Sequence, residues 1–327
     1  MGAVPAEVMN TLSDRRTQSE VLRSRRVAKT YEQYPELKET DDQLRYFTAE
    51  RMLFVLENRD ENEAIRHIED LKKKKSAFLS LNKIPENYDQ VIPFCPSCSD
   101  EGFVDGKECA CLRELLLPVY FDDSGISRHP GVSFSDFSED FYSDPDKIRP
   151  IRQFSDVYVD MDRNKRPNLL FWGNPGTGKT FMAISIARAI LMRAEPVLVI
   201  RSSELIETMD ESRTLKRSFN PDPIRESEVG AKREKILETD LLVIDELGVE
   251  AKGPYNAADL LFILGERHQK GKATIITTNL SLAELGKHYD QRLHSRMIGD
   301  FTIFHFEGED IRTKDIYRKS DRGGRIS

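Results

Sequence analysis

The chain lacks any apolar run approaching the roughly 18 residues that a membrane-spanning helix needs. Its first residues carry no apolar core of the secretory kind. Ala6 stands where N-myristoylation favours Ser or Thr. These absences predict a cytoplasmic protein with no membrane partner. Cysteine is scarce: there are four, all between positions 95 and 111, which leaves no scattered disulfide framework. Positive charge is not in excess. Lys and Arg number 49 against 56 Asp and Glu, for a net charge of −7 and a pI near 5.6, which excludes a globally basic nucleic-acid coat but not local basic patches. No internal repeat or low-complexity tract is present. The 327 residues are enough for two domains, and 39% hydrophobic residues are enough to bury a sizeable core.

What is present centres on Leu169-Leu170-Phe171-Trp172 followed by Gly173-Asn174-Pro175-Gly176-Thr177-Gly178-Lys179-Thr180. This reads as a buried strand, a glycine-rich loop and a helix start, and it fits the P-loop pattern. Gly176 and Gly178 let the backbone bend tightly and approach a ligand closely. Successive N–H groups and the helix N-terminus then form an anion nest. Lys179 can reach the β- and γ-phosphates of ATP, and the Thr180 hydroxyl can ligate Mg²⁺. A turn that binds nothing would not need strand, loop and helix in this order.

Downstream, Leu241-Leu242-Val243-Ile244-Asp245-Glu246 is an apolar run ending in two acids, the form of a Walker B strand. Asp245 would hold Mg²⁺ through water, and Glu246 would orient and deprotonate the attacking water. Thr274 to Asn279 is a β-branched strand that can bring Asn279 near the γ-phosphate. From about residue 145 strands and helices alternate, which predicts a parallel α/β sheet. Residues 211–228, with Pro221 and Pro223, read as a polar, flexible excursion, and Ser203 reads as the cap of a helix over Ser203–Asp210.

Ahead of this half, three helices are expected: over 4–34, over Asp42–Leu56 with a buried stripe of Leu44, Phe47, Met52 and Val55, and over Glu61–Leu81 with Ile65, Ile68, Leu71, Phe78 and Leu79. Lys72 to Lys75 could touch nucleic acid, although a solvated helix face explains a lysine run as well. Cys95-Pro96-Ser97-Cys98 and Cys109-Ala110-Cys111 flank a segment rich in Gly and Asp that suits a hairpin. Four thiolates could close a structural Zn²⁺ site with no open position; four free thiols are the alternative. A redox C-x-x-C would want a strand–helix context that is absent here. A short helix over Leu112–Leu117 should end before Pro118. Phe134, Phe137 and Tyr142 either border an adenine pocket or simply pack.

The P-loop, Ile244-Asp245-Glu246-Leu247-Gly248, Thr277-Thr278-Asn279 and Arg292-Leu293-His294-Ser295-Arg296-Met297 stand in a fixed order. The set resembles the AAA+ ATPases and, more narrowly, the bacterial replicative-helicase loaders of the DnaC/DnaI type. The likeness covers about residues 130–315. A helical segment followed by Cys95, Cys98, Cys109 and Cys111 is similar to the DnaI-like branch. The resemblance implies an AAA+ P-loop fold with a parallel sheet, preceded by a helical region with a small zinc-binding module. It divides the chain into a helical partner-binding region (1–90), a zinc module and linker (91–125) and an ATPase domain (126–327). It also implies that Asn279 acts as sensor 1, and that Arg296, with Arg292 as fallback, reaches a neighbouring subunit's ATP. Arg312 would touch the γ-phosphate within its own subunit. The implied partners are the hexameric replicative DNA helicase, single-stranded DNA (with Lys216 and Arg217 as first candidates for contact) and further copies of the chain that share ATP sites. A transposition helper of the IstB type shares the ATPase motifs, but its usual plan has no zinc cluster. A P-loop adaptor that binds ATP without turnover would leave Glu246 and Arg296 without a use, and a small-molecule kinase would normally show an acceptor pocket and lid, which this sequence does not display.

Overall fold

The computed structural model describes residues 4–57 and 59–311. It divides into two compact units, one ending at Leu112 and the other beginning at Arg113.

In the first unit, α1 (Ala6–Gln33) ends where Tyr34 leaves helical backbone, at φ −133° and ψ 78°. Pro35 then starts α2 (Pro35–Leu56). Proline at the first helical position lacks only an N–H that would have had no intrahelical partner. Pro35 therefore ends one helix by opening the next, well before the expected start at Asp42. The expected stripe is also revised. Leu44 and Phe47 are half-buried and Met52 and Val55 are exposed, while the buried α2 residues are Leu37 and Asp41. In α3 (Asn62–Leu81), Ala64, Ile68, Leu71 and Leu79 are buried. Leu37, Leu79 and Tyr88 form a small core, with Tyr31, Tyr34 and Phe78 against it.

The lysine run divides in two. Lys72, Lys73 and Lys74 are exposed. Lys75 instead places Nζ 2.8 Å from Asp41 Oδ1 and 3.2 Å from Asp89 Oδ2. The Tyr31 hydroxyl donates to Asp41 Oδ2 at 2.9 Å, and the Tyr88 hydroxyl donates to the same oxygen. Burial opposes the charge on Asp41, yet hydrogen bonds from Lys75, Tyr88 and Tyr31 hold its carboxyl below the usual range. Lys75 is a structural group in this setting. The unit continues into a hairpin of β1 (Phe103–Val104) and β2 (Lys107–Glu108).

The next helix, α4 (Ala110–Asp123), does not stop before Pro118 but runs through it. A proline removes one backbone hydrogen bond, a loss this helix tolerates; Leu112 and Leu116 on it are fully buried. Three single 3₁₀ turns follow before α5 (Pro145–Asp160). The sheet of the second unit consists of β3 (Asn168–Gly173), β4 (Val197–Arg201), β5 (Leu241–Leu247), β6 (Ala273–Thr278) and β7 (Phe301–Phe306), in the order β4-β5-β6-β3-β7. Every pairing in it is parallel. Alternate residues face opposite layers. Leu169, Phe171, Val243 and Ile275 join one core with Met182, Ile186 and Ile190. Leu170, Leu242, Ile244 and Ile276 join the other with Leu260, Ile263 and Leu293. Helices on both faces explain why the strands read as continuous apolar runs.

Of the remaining helices, α6 (Lys179–Leu191) belongs to the first core, and α7 (Ser202–Arg217), α8 (Pro223–Glu238), α9 (Asn256–Gln269), α10 (Leu282–His288) and α11 (Gln291–Asp300) belong to the second. The expected excursion over 211–228 is therefore mostly helix. Leu205 and Met209 are buried on α7 and Val229 and Ile236 on α8. Pro223 sits in the first turn of α8, and Asp222 caps it by accepting from the Ile224 N–H at 2.9 Å. Ser203 is not the cap of α7, which begins at Ser202 after Arg201.

Arg267 gives no sign in the sequence of its place. It is 0% exposed and donates to Thr274 Oγ1 at 3.0 Å and to the carbonyls of Ile236, Thr239 and Ala273 at 2.9, 2.9 and 2.5 Å. Burial pulls its pKa down to about 9, with Asp240 acting against that shift. It joins the end of α8, the end of α9 and the start of β6. Replacing it by methionine strands three buried carbonyls, so Arg267→Met should lose about 3 kcal/mol of stability. A urea midpoint equal to wild type would refute this.

Candidate functional site

The loop Gly173–Thr180 joins β3 to α6, at the carboxyl ends of the strands where ligands bind in open α/β sheets. Two glycines are required sterically. A Cβ on Gly173 (φ +145°) would lie 2.2 Å from the Phe306 carbonyl oxygen, and one on Gly178 (φ +93°) would lie 2.3 Å from the Tyr142 hydroxyl. The buried Lys179 folds its ammonium under the loop and donates to the carbonyls of Gly173 at 2.9 Å and Asn174 at 2.6 Å. Thr177 Oγ1 donates to the Asn174 carbonyl at 2.9 Å.

Asp245 is the last of five consecutive buried residues on β5. Its Oδ1 accepts from Thr180 Oγ1 at 2.8 Å and from Thr277 Oγ1 at 2.6 Å. Thr277 Oγ1 in turn accepts from the Glu246 N–H at 3.0 Å. The side chains of the two expected Mg²⁺ ligands, Thr180 and Asp245, are thus already in contact. Sequence reasoning gave Thr277 no role. In a β-branched strand it looks like any other buried residue, and only the β5–β6 pairing puts it beside Asp245.

Glu246 adopts left-handed backbone at φ +58° although it is not glycine. Strain of this kind costs on the order of 1–3 kcal/mol and persists only where surroundings hold it. The Ser202 hydroxyl donates to the Glu246 carbonyl at 2.9 Å, and the β5–β6 register shifts between Ile244 and Leu247. The irregularity turns the Glu246 side chain out of the sheet into a cleft of about 460 Å³. Lys179, Thr180, Thr277 and Asn279 line the same cleft. Phe137, Phe141, Tyr142 and Phe181 are its aromatic lining. Burial pushes the Tyr142 hydroxyl up to about 12, so it keeps its proton. Phe134 instead lies under the guanidinium of Arg152, 4.0 Å away. After β7 the chain returns over the loop, with the Ile311 N–H donating to the Gly176 carbonyl at 2.9 Å.

The arginines are not brought to this cleft. Arg296 is half-buried on α11 and pairs with Asp300 at 3.3 Å, and Arg292 on the same helix is exposed. Arg312 lies outside the described residues.

The four cysteines do converge. Their sulfur atoms all lie within 4.8 Å of one another, with Cys95–Cys109 at 3.6 Å and Cys98–Cys111 at 3.3 Å. Zinc–sulfur bonds of about 2.3 Å in a tetrahedron require sulfurs about 3.8 Å apart, so the donor set fits that ion. The backbone around the cysteines is tightly held. Asp100 is fully buried and accepts from the Phe94 and Cys95 N–H groups, each at 2.8 Å. Ser99, Asp100 and Gly102 take left-handed backbone at φ +52°, +61° and +83°. The Gly102 N–H points at Cys98 Sγ, 3.3 Å away.

A profile of the IstB-like ATP-binding protein family matches residues 132–322. The chain belongs to this family. Its strand order, with the P-loop after β3 and Asp245 on β5, is that of an AAA+ P-loop NTPase. Over 190 residues the chain is 29% identical to the replicative helicase loader DnaC of Escherichia coli (strain K12), a match covering 57% of this chain and 71% of DnaC. Over 185 residues it is 27% identical to an ATP-binding protein of insertion sequence IS5376 from Geobacillus stearothermophilus, covering 55% and 66%. A crystal structure of the DnaC helicase loader aligns with a TM-score of 0.46 at 19% identity, over 55% of this chain and 99% of that one.

Two outcomes check the nucleotide site. Lys179→Ala should abolish binding of a fluorescent ATP analogue, and wild-type affinity would reject the P-loop assignment. Thr277→Val should lower steady-state phosphate release about tenfold, because it removes one donor from Asp245 and the acceptor of the Glu246 N–H. Nucleotide affinity should stay within about threefold; unchanged turnover would show that Thr277 only packs.

Proposed function

We propose that the chain is an ATP-hydrolysing loader of the replicative DNA helicase. The observation that carries this reading is a separate helical unit bearing a closed four-thiol cluster, set ahead of an ATP-binding unit similar to DnaC. Within the chain we assign a helical partner-binding region to residues 1–90, a zinc module and linker to 91–125 and the ATPase domain to 126–327. The first region docks on the hexameric helicase, and ATP binding favours the assembled state while hydrolysis releases it.

In the ATP site, Lys179 exchanges its loop carbonyls for the β- and γ-phosphates. Thr180 and Asp245 would hold Mg²⁺, which would supply charge neutralisation at the phosphates. Glu246 orients and deprotonates the attacking water, and Asn279 fixes that water against the γ-phosphate. Arg296 or Arg292 reaches the ATP of a neighbouring subunit, a contribution worth roughly 10³–10⁵ in rate, and Arg312 acts within its own subunit. Among the described residues no helix is long and apolar enough to cross a membrane.

For single-stranded DNA, exposed Lys216 and Arg217 end α7, and Ser218 alone separates them from Phe219, whose ring is wholly exposed. Two cations beside an unpacked aromatic suit a backbone-tracking, base-stacking contact. Cys95, Cys98, Cys109 and Cys111 hold Zn²⁺ as a structural ion.

A second reading, a transposition helper of the IstB type, is favoured by the IS5376 relative. A pull-down of the replicative helicase separates the two. Full-length protein should retain helicase with ATP more strongly than with ADP, and removal of residues 1–115 should abolish retention. Absence of retention with either nucleotide would overturn the loader reading. Purified protein should contain about one zinc per chain, and chelation should lower the melting temperature; a metal-free protein after anaerobic preparation would reject the zinc site.

A further inference from the structure

The acids of the ATP site do not end at Glu246. Glu250 is 5% exposed, and none of the roles assigned above uses it. Its Oε2 accepts from the Gly248 N–H at 2.9 Å, and its Oε1 accepts from the Tyr289 hydroxyl. Burial and the adjacent Glu250 carboxylate both raise the Tyr289 hydroxyl, so it stays protonated and remains the donor. A buried carboxylate with two donors is a rigid fixture, because release of either donor would leave charge unpaired in the core.

The two donors belong to different parts of the site. Gly248 lies two residues beyond Glu246, in left-handed backbone at φ +98°, where a Cβ would sit 2.5 Å from Leu280 Cδ1. Thr278 Oγ1 donates to the Leu247 carbonyl at 2.7 Å and accepts from the Leu280 N–H at 3.1 Å. The turn after β5 is therefore held against the segment that leaves β6. Tyr289 caps the end of α10, and its next residue is the N-cap of α11. Asp290 accepts from the Leu293 N–H at 2.8 Å through its side chain and from the His294 N–H at 3.1 Å through its carbonyl. Through Glu250, the turn after Glu246 is thus braced directly against the start of the helix that carries Arg292 and Arg296.

We propose that Glu250 and Tyr289 form a strut that sets the pose of α11 from the chain's own ATP-site turn, so that each subunit's nucleotide site governs the arginine it presents to a neighbour. Both are positioning residues and neither touches the nucleotide. The inference rests on the reading above that α11 completes a neighbouring ATP site.

Mixing full-length variants tests the two ideas separately. Glu246→Gln subunits keep α11 but do not turn over, whereas Arg292→Ala/Arg296→Ala subunits keep Glu246 but present no arginine. Mixed together they should recover ATP turnover that neither shows alone. Tyr289→Phe keeps the ring and should fold. It should turn over about tenfold more slowly, with nucleotide affinity unchanged. Mixed with Glu246→Gln it should regain turnover, and mixed with the double-arginine variant it should not. A loss through mere destabilisation would not show this one-sided rescue. Should Tyr289→Phe fail to fold, the isosteric Glu250→Gln carries the same comparison. If the first mixture stays inactive, the shared-site reading and the strut fall together. If it recovers while Tyr289→Phe turns over like wild type, or complements the double-arginine variant, the strut alone is refuted.

Discussion

One oxygen atom organises the ATP-binding unit. Asp245 Oδ1 takes hydrogen bonds from Thr180, which opens the helix after the P-loop, and from Thr277, near the end of β6. Three chain segments far apart in sequence meet on that atom. The contact is possible because β5 and β6 are adjacent in the sheet and β3, which feeds the loop, lies on the other side of β6. Charge-assisted hydrogen bonds of this kind are short and about twice as strong as neutral ones. The residue after Asp245 is left with little freedom. Its N–H is held by Thr277 and its carbonyl by Ser202, and it resolves the conflict by taking left-handed backbone. The exposed carboxylate of Glu246 in the cleft follows from how its buried neighbour is held.

Much of this unit was legible because its chemistry leaves local marks. Strands buried on both faces must be apolar along their whole length, so Leu169–Phe171 and Leu241–Ile244 stood out. A phosphate nest needs glycines at fixed spacing, so the loop stood out too. Features made by long-range pairing were not legible. Thr277 looks like a strand residue, Arg267 like a surface arginine, and Glu250 and Tyr289 like parts of unrelated segments. Local signals also misled where proline has two meanings. Pro35, Pro145 and Pro223 begin helices, where a missing N–H costs nothing. Pro118 lies inside one, on which Leu112 and Leu116 are fully buried. The excursion expected over 211–228 failed because its polar residues are the outer face of two helices, whose buried residues Leu205 and Met209 on α7 and Ile236 on α8 join the second core.

The first unit solves a different problem. Its apolar core is small, and much of its order comes from polar groups placed where they cannot be released cheaply. Lys75, Tyr31 and Tyr88 converge on Asp41. From α1, Arg23 and Arg26 donate to the carbonyls of Asp89 and Tyr88, and Arg16 donates to that of Asp100. Asp100 itself is buried beneath the cysteine turn. A region built this way has much to gain from a metal ion, because closing four thiolates around one ion adds binding free energy directly to folding. The left-handed residues at 99, 100 and 102 make sense in that light. They bend the chain so that the two cysteine pairs face each other, and Asp100 ties down the N–H groups at the start of the turn.

The placement of the arginines bears on how far a single chain can complete its own site. Lys179, Thr180, Asp245, Glu246, Thr277 and Asn279 are gathered within or directly behind one cleft, yet Arg292 and Arg296 stand on α11 outside its lining. Electrostatic stabilisation of a phosphoryl transition state depends on cations placed before the reaction begins. Among the described residues, Lys179 is the cation lining this cleft, and it is still turned under the loop. With Asp245 fixed by two hydroxyls and the arginines on a separate helix, the proposed reading needs a second copy of the chain to bring a cation to the cleft. In the proposed strut, the brace from Gly248 through Glu250 to Tyr289 is the physical route that links the turn after Glu246 to the start of α11.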